Sequence, residues 1–187
     1  MDPTLERGLV EKAKESLKAF DQLYEYYLPR IFGFVYNRTG NKEIAEDITS
    51  QTFMKAMTKI KTFTYKGFTF GAWLYRIAHN NLIDFYRKNP HQVDIEMNRL
   101  ESDENVHNDA EQAEKQEIIL DAIRHLPEQY QQVLTLKYFE ELTNEEIADI
   151  LGCKKATLAV KLHRSLKALK KIMKKDGFLK LLHLHMK

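Results

Sequence analysis

A strongly acidic segment near the middle of the chain limits what this sequence can fold into. Between His91 and Glu117 there are nine acidic and two basic residues, a net charge of −7, so the remaining residues must carry +9 to give the total of +2. The segment has few large apolar residues and directly follows Asn89-Pro90. Such a composition cannot bury enough apolar surface to join a packed core. The sequence therefore predicts an acidic flexible linker at 91–116 between two basic domains.

Both flanking regions have the pattern of helical domains. Glycine and proline are scarce, and apolar residues recur at intervals of three and four, which is typical of amphipathic helices. A chain of 187 residues is long enough for two small domains. We expect an all-α fold with one helical domain at 16–90 and a second at 117–175. The amphipathic tail at 176–187 is expected to extend the last helix or to offer an apolar face to an inhibitory partner.

Several functional classes are disfavoured by the composition. No apolar run reaches the roughly 18 residues that a membrane span needs, and residues 1–16 lack the apolar core of a signal peptide. The single cysteine, Cys153, cannot form an internal disulfide, which agrees with a reducing cytosol. We find no glycine-rich phosphate loop, no nucleophile-base-acid set and no metal-ligand spacing. We therefore expect a cytoplasmic protein that is not an enzyme, with no cofactor, metal, small-molecule substrate or membrane insertion.

The first domain should begin with two long helices. One is expected at about 17–38, where Pro29 should kink or split it, and the other from the turn at 39–41 to about 61. The second helix also has a polar face, and its spacing alone indicates nothing more than a surface exposed to solvent. The residues expected to face inward are Phe20, Leu23, Tyr24, Tyr27, Ile31, Phe34 and Val35 on the first helix and Ile44, Ile48, Phe53, Met57 and Ile60 on the second.

Aromatic and basic residues are interleaved from Lys59 to Lys88. We expect a loop at about 65–71, followed by a helix at about 72–87. Aromatic planes beside cations are what single-stranded nucleic acid requires for stacking and for neutralising its backbone. The alternative is that aromatic residues at helical spacing simply form the core, which we expect for Trp73, Leu74, Ile77 and Leu82. The loop residues Lys66, Phe68 and Phe70, with Asn80 on the helix, are better candidates for binding.

Residues 143–164 have the pattern of a helix-turn-helix. Thr143 and Glu146 fit a capping box that opens a helix, and Gly152 fits the left-handed position that ends it. A second helix should start near Lys154 or Lys155. Its outward-facing residues, which would read a DNA groove, are expected to be Lys154, Lys155, Thr157, Lys161, His163 and Arg164.

Charge favours DNA binding over the alternative of two packed helices with a solvated face. From Cys153 to Lys175 there are nine lysines or arginines and no acidic residue. A face of one sign attracts phosphate, whereas a merely solvated face usually mixes both signs.

Several motifs together resemble a known family. The chain is similar to the extracytoplasmic-function (ECF, group IV) sigma factors of the sigma-70 family, over about 20–173. The stretches that resemble sigma region 2 are 45–49 (AEDIT), 53–56 (FMKA) and 72–80 (AWLYRIAHN), and those that resemble region 4 are 126–128 (LPE), 146–152 (EIADILG) and 157–164 (TLAVKLHR).

This resemblance implies a non-enzymatic subunit of bacterial RNA polymerase. A region 2 bundle would bind core polymerase and melt the −10 element, while a region 4 helix-turn-helix would read the −35 element. The implied partners are core polymerase, through the β′ clamp helices and β, promoter DNA and an anti-sigma factor. The protein would associate with the nucleoid when active.

The resemblance also implies roles for individual residues. It assigns contact with the β′ clamp helices to Asp47, Ser50, Gln51 and Phe53. It assigns the loop that captures a flipped −10 base to Lys66, Gly67, Phe68, Thr69 and Phe70, its pocket to Ile77 and Asn80, and the following helix to Trp73, Arg76 and Arg87. It assigns −35 binding to Lys154, Lys155, Thr157, Lys161, His163 and Arg164.

Two departures from the family pattern stand out. Ser50 occupies a position that is usually glutamine, with Gln51 beside it. Ala159 and Val160 occupy recognition-helix positions that are usually polar or basic, where they can contact a thymine methyl but cannot hydrogen-bond to base edges. We therefore expect either an unusual −35 sequence or a weaker dependence on that element.

Two other functions remain open at this level. A stand-alone helix-turn-helix regulator that binds duplex DNA would need a dimer interface and leaves the aromatic and basic segment unexplained. A helical adaptor that binds only proteins would show no affinity for DNA and little sensitivity to salt.

Overall fold

The computed structural model describes residues 1–65, 67–89, 118–140 and 142–175. Within these ranges all regular secondary structure is helical, which confirms the expected all-α fold. The chain divides into two compact units, Met1–Leu100 with Glu145–Gly152, and Glu101–Asn144 with Cys153–Lys187. The predicted linker and the predicted C-terminal tail lie outside the described residues.

The first unit is built around one long central helix. Helix α2 packs against α1, α3 and α4, and α3 packs against α4. A short 3-10 turn at Ile60–Thr62 follows α3. The helices are α1 (Pro3–Ala13), α2 (Leu17–Thr39), α3 (Lys42–Lys59) and α4 (Phe70–Lys88).

Local capping determines where these helices begin. The Asp2 carboxylate accepts from the Thr4 and Leu5 amides at 2.9 and 3.0 Å, and the Asn41 side chain accepts from the Ile44 amide at 3.1 Å. These bonds satisfy amides that the first turn of a helix leaves without a partner. Helix α2 ends at Gly40, which has a φ of 61°.

Helix α2 runs through Pro29 without a break, so the expected split does not occur. Most residues expected to face inward are buried, but three are not: Tyr24 is 38% exposed, Met57 is 44% exposed, and Ile44 is half-buried. On α3 the buried stripe passes instead through Thr49, Thr52 and Ala56. The expectation for Met57 was wrong because it considered only large apolar residues, whereas small and polar residues form part of the buried face of α3.

The sequence analysis assigned no structural role to α1. Its buried side chains are Val10, Ala13 and the acidic Glu6, which is only 5% exposed. Two apolar residues and one carboxylate make too weak a pattern to predict a packed helix. Helix α1 nevertheless packs against both α2 and α4.

The second unit contains α5, described at 118–124, with α6 (Glu128–Tyr138) and α8 (Lys155–Lys175). Its core is formed by Ile123, Leu126 and Leu134, against which residues of α8 pack. The Gln131 side-chain amide donates to the carbonyl oxygens of Arg124 and Leu126 at 3.0 and 2.8 Å. These bonds satisfy the carbonyl groups where α5 ends.

The helices expected around Gly152 are present in the chain. Helix α7 (Asn144–Ile150) precedes a turn in which Gly152 has a φ of 60°, the left-handed conformation that the sequence predicts. Helix α8 then begins at Lys155, as expected. In the described part of the chain, no helix combines the length and apolar character needed to cross a membrane.

Candidate nucleic-acid interface

The loop before α4 is held at both ends. It leaves the 3-10 turn at Phe63, whose amide donates to the Ile60 carbonyl oxygen at 3.0 Å, and it enters α4 at Thr69. The Thr69 hydroxyl accepts from the Ala72 amide at 3.1 Å. Gly67 has a φ of 86°, a conformation that a residue with a side chain adopts only with strain. The two ends of the loop are therefore fixed by these bonds, and Lys66 lies outside the described residues.

Aromatic residues at the two ends of this loop and on α4 pack against one another. The Phe63 ring lies 5.0 Å from Trp73 and 5.8 Å from Phe70, and Phe70 lies 5.5 Å from Trp73, measured between ring centroids. Phe70 is fully buried, whereas Phe68 and Trp73 are half-buried. The structure corrects the expectation for Phe70, because its ring faces are used in packing and do not form a stacking surface.

A cavity of about 240 Å³ opens between the loop and α4, and we call it the Trp73 cavity. Aromatic rings supply apolar walls, and basic side chains lie at its edge. This combination of a shaped apolar surface with cations is suited to an unpaired base and its phosphate. The cavity is lined by Lys59, Thr62, Phe63, Thr64, Phe68, Trp73, Arg76 and Asp149.

The exposed face of α4 continues this surface. Arg76 and Asn80 are exposed and lie four residues apart, so they share one side of the helix. Ile77 is half-buried beside them. Arg87 is exposed near the end of α4, where it forms an ion pair with Asp84 at 3.1 Å.

Carboxylates of α7, which belongs to the first unit, occupy the polar groups of this surface. The Glu146 carboxylate accepts from the Thr69 amide at 3.0 Å and from the Thr69 hydroxyl at 2.6 Å. Arg76 forms an ion pair with Asp149 at 2.8 Å. The polar groups of Thr69 and Arg76 are thus already engaged within the first unit. The sequence analysis missed these contacts, because residues more than 70 positions apart carry no local pattern.

A buried polar network joins α3 to α4 behind the interface. The Asn81 side-chain amide donates to the Thr52 hydroxyl at 2.9 Å, and the Lys55 ammonium donates to the Asn81 side-chain oxygen. His79 lies nearby on α4 and is only 7% exposed. Burial, with the Arg38 guanidinium close by, lowers the pKa of the His79 imidazole to about 4. This histidine is therefore neutral at physiological pH.

A second surface of the first unit lies on α3. Asp47, Ser50 and Gln51 are exposed, as expected, and the Gln51 side chain donates to the Asp47 carboxylate at 2.9 Å. Met54 extends this surface and is 62% exposed. Phe53 is only 4% exposed and packs edge-on against Tyr24 at 4.7 Å. This burial confirms the inward orientation expected for Phe53 on α3, and its contact with the β′ clamp helices stays a prediction.

Helix α8 presents the cationic face that the sequence predicts. Lys154 and the predicted recognition-helix residues are exposed, except for Lys161, which is half-buried. Leu158 and Ser165 are fully buried seven residues apart, so they mark the opposite face of the helix. Ala159 is exposed, and Val160 is 49% exposed, which leaves both side chains free to contact DNA.

Known proteins match both parts of the chain. Residues 23–91 match the Sigma-70 region 2 family and residues 116–169 match the Sigma-70 region 4 family. The RNA polymerase sigma factor YlaC of Bacillus subtilis is 33% identical over 163 residues, which cover 84% of this chain and 94% of that protein. The ECF RNA polymerase sigma factor SigW of the same species is 31% identical over 91% of this chain and 97% of that protein.

The chain belongs to the ECF RNA polymerase sigma factors. It is also 31% identical to the ECF sigma factor BldN of Streptomyces coelicolor, over 90% of this chain and 66% of that protein. Sigma factors bind core polymerase and promoter DNA and direct transcription initiation, and the family is not a class of enzymes. A stand-alone helix-turn-helix regulator is not favoured, because region 2 is present as well.

Solved structures agree on the fold of this ECF sigma factor. CnrH, in complex with the cytosolic domain of CnrY, aligns with a TM-score of 0.66 at 19% identity, covering 92% of this chain and 99% of that one. RpoE of Bartonella quintana, in complex with the anti-sigma factor NepR, also aligns with a TM-score of 0.66, at 24% identity and over 86% of this chain and 99% of that one. At these identities the likeness concerns the fold alone.

Proposed function

We propose that this sigma factor captures an unpaired base of the −10 element in the Trp73 cavity. The observation that carries the proposal is the convergence of Phe68, Trp73 and Arg76 on one cavity. Asn80 is exposed on α4, four residues after Arg76. Extruding a base from a duplex costs a few kcal/mol, and stacking on an aromatic ring contributes about 1–3 kcal/mol per base. Binding of the extruded base can therefore offset most of the cost of melting without hydrolysis of a nucleotide.

Each residue has a distinct role in this proposal. Phe68 and Trp73 stack on the base, while Asn80 hydrogen-bonds to its edge and Ile77 forms part of the wall. Lys66, Arg76 and Arg87 bind the phosphates of the single strand. Phe70 acts indirectly, because its buried ring supports Trp73 and the loop.

Helix α8 is proposed to read the −35 element in the major groove. Its exposed basic face supports contact with phosphates and base edges through Lys154, Lys155, Thr157, Lys161, His163 and Arg164. Ala159 and Val160 offer only apolar surface, which is suited to the methyl group of thymine. We therefore expect a thymine preference or a weak preference opposite these two residues.

The exposed α3 surface formed by Asp47, Ser50 and Gln51 is proposed to bind the β′ clamp helices of core polymerase. Its neighbour Met54 adds an exposed apolar side chain on the same face.

We also propose that residues 16–90 and 117–175 act as separate DNA-binding domains joined by 91–116. An anti-sigma factor would hold the protein inactive in the bacterial cytoplasm, and the released protein would act on the nucleoid.

The experiment that tests this proposal is run-off transcription with core polymerase across a randomised promoter library. Asn80→Ala should lower strand opening, measured by permanganate reactivity of −10 thymines, and leave −35 selection unchanged. Arg164→Ala should weaken −35 selection and leave opening on a pre-melted template unchanged. Equal losses in both assays from both substitutions would refute the division of roles, and selections that return a standard −35 element of ordinary strength would refute the role given to Ala159 and Val160.

A further inference from the structure

Helix α1 is hydrogen-bonded to the first residue of α4, at the point where the preceding loop ends. One oxygen of the Glu6 carboxylate accepts from the Phe70 amide at 3.0 Å, and the other accepts from the Tyr27 hydroxyl. Both bonds are buried. Glu6 thus satisfies an amide in the first turn of α4 from outside that helix. Helix α1 lies outside the residues that match region 2, which begin at residue 23.

A second cavity lies between α1 and this loop, and we call it the α1 cleft. Its volume is about 410 Å³, within the range of small-ligand pockets. The cleft is lined by Pro3, Thr4, Glu6, Arg7, Tyr65, Gly67, Phe68 and Thr69. Phe68 also lines the Trp73 cavity, so the two cavities share one aromatic residue as a common wall.

Two polar groups of the α1 cleft, the Tyr65 hydroxyl and the Arg7 guanidinium, indicate that it binds a ligand. The Tyr65 hydroxyl is buried, and among the described residues no group hydrogen-bonds to it. Burial, with the carboxylates of Glu6 and Glu11 nearby, raises the pKa of this hydroxyl, so it remains a donor. A buried donor without a partner costs roughly 1–3 kcal/mol, which a ligand acceptor would recover. The Arg7 guanidinium lies 5.4 Å from the centre of the Tyr65 ring and adds an exposed positive charge.

We propose that the α1 cleft is a second subsite for unpaired DNA, which takes the nucleotide next to the one held in the Trp73 cavity. This inference rests on the proposed function of that cavity. The base packs against Phe68 and accepts a hydrogen bond from the Tyr65 hydroxyl, while Arg7 binds the adjoining phosphate. Because Phe68 separates the two cavities, successive bases of one strand lie on its two sides. Glu6 is a positioning residue, since it fixes α1 to α4 and leaves DNA contact to its neighbours.

The test uses the holoenzyme and a single-stranded oligonucleotide that carries the −10 element selected from a randomised library. One base at a time is replaced by an abasic site, and affinity is measured by fluorescence anisotropy. We expect roughly tenfold losses at two adjacent positions, one for each cavity. Loss at a single position would overturn the second subsite, whereas no loss at any position would refute the proposed function itself.

Two conservative variants assign the second position to the α1 cleft. Tyr65→Phe removes only the hydroxyl and should reduce the abasic penalty at the second position while preserving it at the first. Arg7→Gln should weaken binding severalfold and lower the slope of log affinity against log salt by about one. Unchanged penalties and an unchanged slope in these variants would overturn the inference.

A matched control is available on α2. Arg30 is also exposed and lies over a tyrosine ring, with its guanidinium 4.0 Å from the centre of Tyr26. Arg30→Gln removes the same charge from a residue that lines neither cavity. The variant should bind the oligonucleotide like the unmodified protein, and a loss equal to that of Arg7→Gln would show that only net charge matters.

Discussion

The two surfaces that we propose to bind DNA differ in whether the protein itself already occupies their polar groups. In the first unit, carboxylates of α7 accept from Thr69 and pair with Arg76. In α8, by contrast, the sequence from Cys153 to Lys175 contains no acidic residue, and most of its basic side chains are exposed. To bind DNA as proposed, the first surface has to exchange these internal partners for DNA, and we expect it to recognise shape. The second can attract phosphate from a distance and should respond strongly to salt.

The largest expected effect tests how far the first surface depends on buried aromatic packing. Phe70→Ala removes a fully buried ring and should lower the free energy of unfolding of the first unit by about 3–5 kcal/mol. Val160→Ala, at an exposed position of α8, should change stability by less than about 0.5 kcal/mol. Urea unfolding followed by circular dichroism measures both. Similar losses of unfolding free energy in the two variants would contradict the contrast between a surface supported by buried packing and one formed by exposed side chains.

A slightly smaller effect concerns pH. The pKa of His79 is about 4 in the folded protein and about 6.5 in an unfolded chain. Between these values the unfolded chain binds more protons, so stability is fully present above about pH 6.5 and falls as the pH drops toward 4. The loss attributable to this residue is about 3 kcal/mol.

The measurement for His79 is urea unfolding at pH 7 and pH 4.5 for the unmodified protein and for His79→Gln. The variant lacks the titrating group and should lose less stability on acidification than the unmodified protein. Equal acid sensitivity in both would mean that other groups dominate the response.

A third prediction sharpens the role of charge on α8. Arg164→Gln should weaken binding of a −35 duplex by about tenfold, or, if it contacts phosphate, lower the salt slope by about one. Arg87→Gln on α4 removes the same charge and should leave duplex binding unchanged while it weakens binding of the −10 single strand. Both effects can be read from anisotropy titrations of holoenzyme at several salt concentrations.

The smallest effect tests whether α7 competes with DNA for Arg76. Asp149→Asn removes a partly exposed ion pair, and such pairs contribute roughly 0.2–1 kcal/mol. Single-strand binding should therefore become about 1.5- to 5-fold tighter. Glu128→Gln on α6, in the second unit, makes the same change in net charge at a residue that does not line the Trp73 cavity and serves as the control. Tighter binding in both variants would point to overall charge instead of local competition.

Local sequence patterns predicted the elements whose causes are local. Gly152, the start of α8 and the exposed polar face of α3 follow from capping, helical periodicity and charge sign. Phe70 was expected to be available for binding, because a motif shows which residues matter without showing how deeply each one is buried. Burial depends on which helices meet, and spacing along one helix does not contain that information.

The features that sequence analysis missed all join distant parts of the chain. The Glu6 carboxylate reaches Phe70 across 64 positions, and Glu146 reaches Thr69 across 77. A buried glutamate on a short, weakly apolar helix looks like a solvent-exposed residue until its partners are known. The α1 cleft was invisible for the same reason, because its two walls are separated by about 60 residues in the sequence.

Trp73 is the only tryptophan among the 187 residues of the chain. It is half-buried and lines the cavity between the loop and α4. Light at the red edge of protein absorption excites tryptophan selectively, so the intrinsic fluorescence of this protein will come from Trp73 alone. Quenching of that emission by a stacked base would report strand capture in real time without an attached dye, while binding of duplex DNA by α8 should leave the emission unchanged.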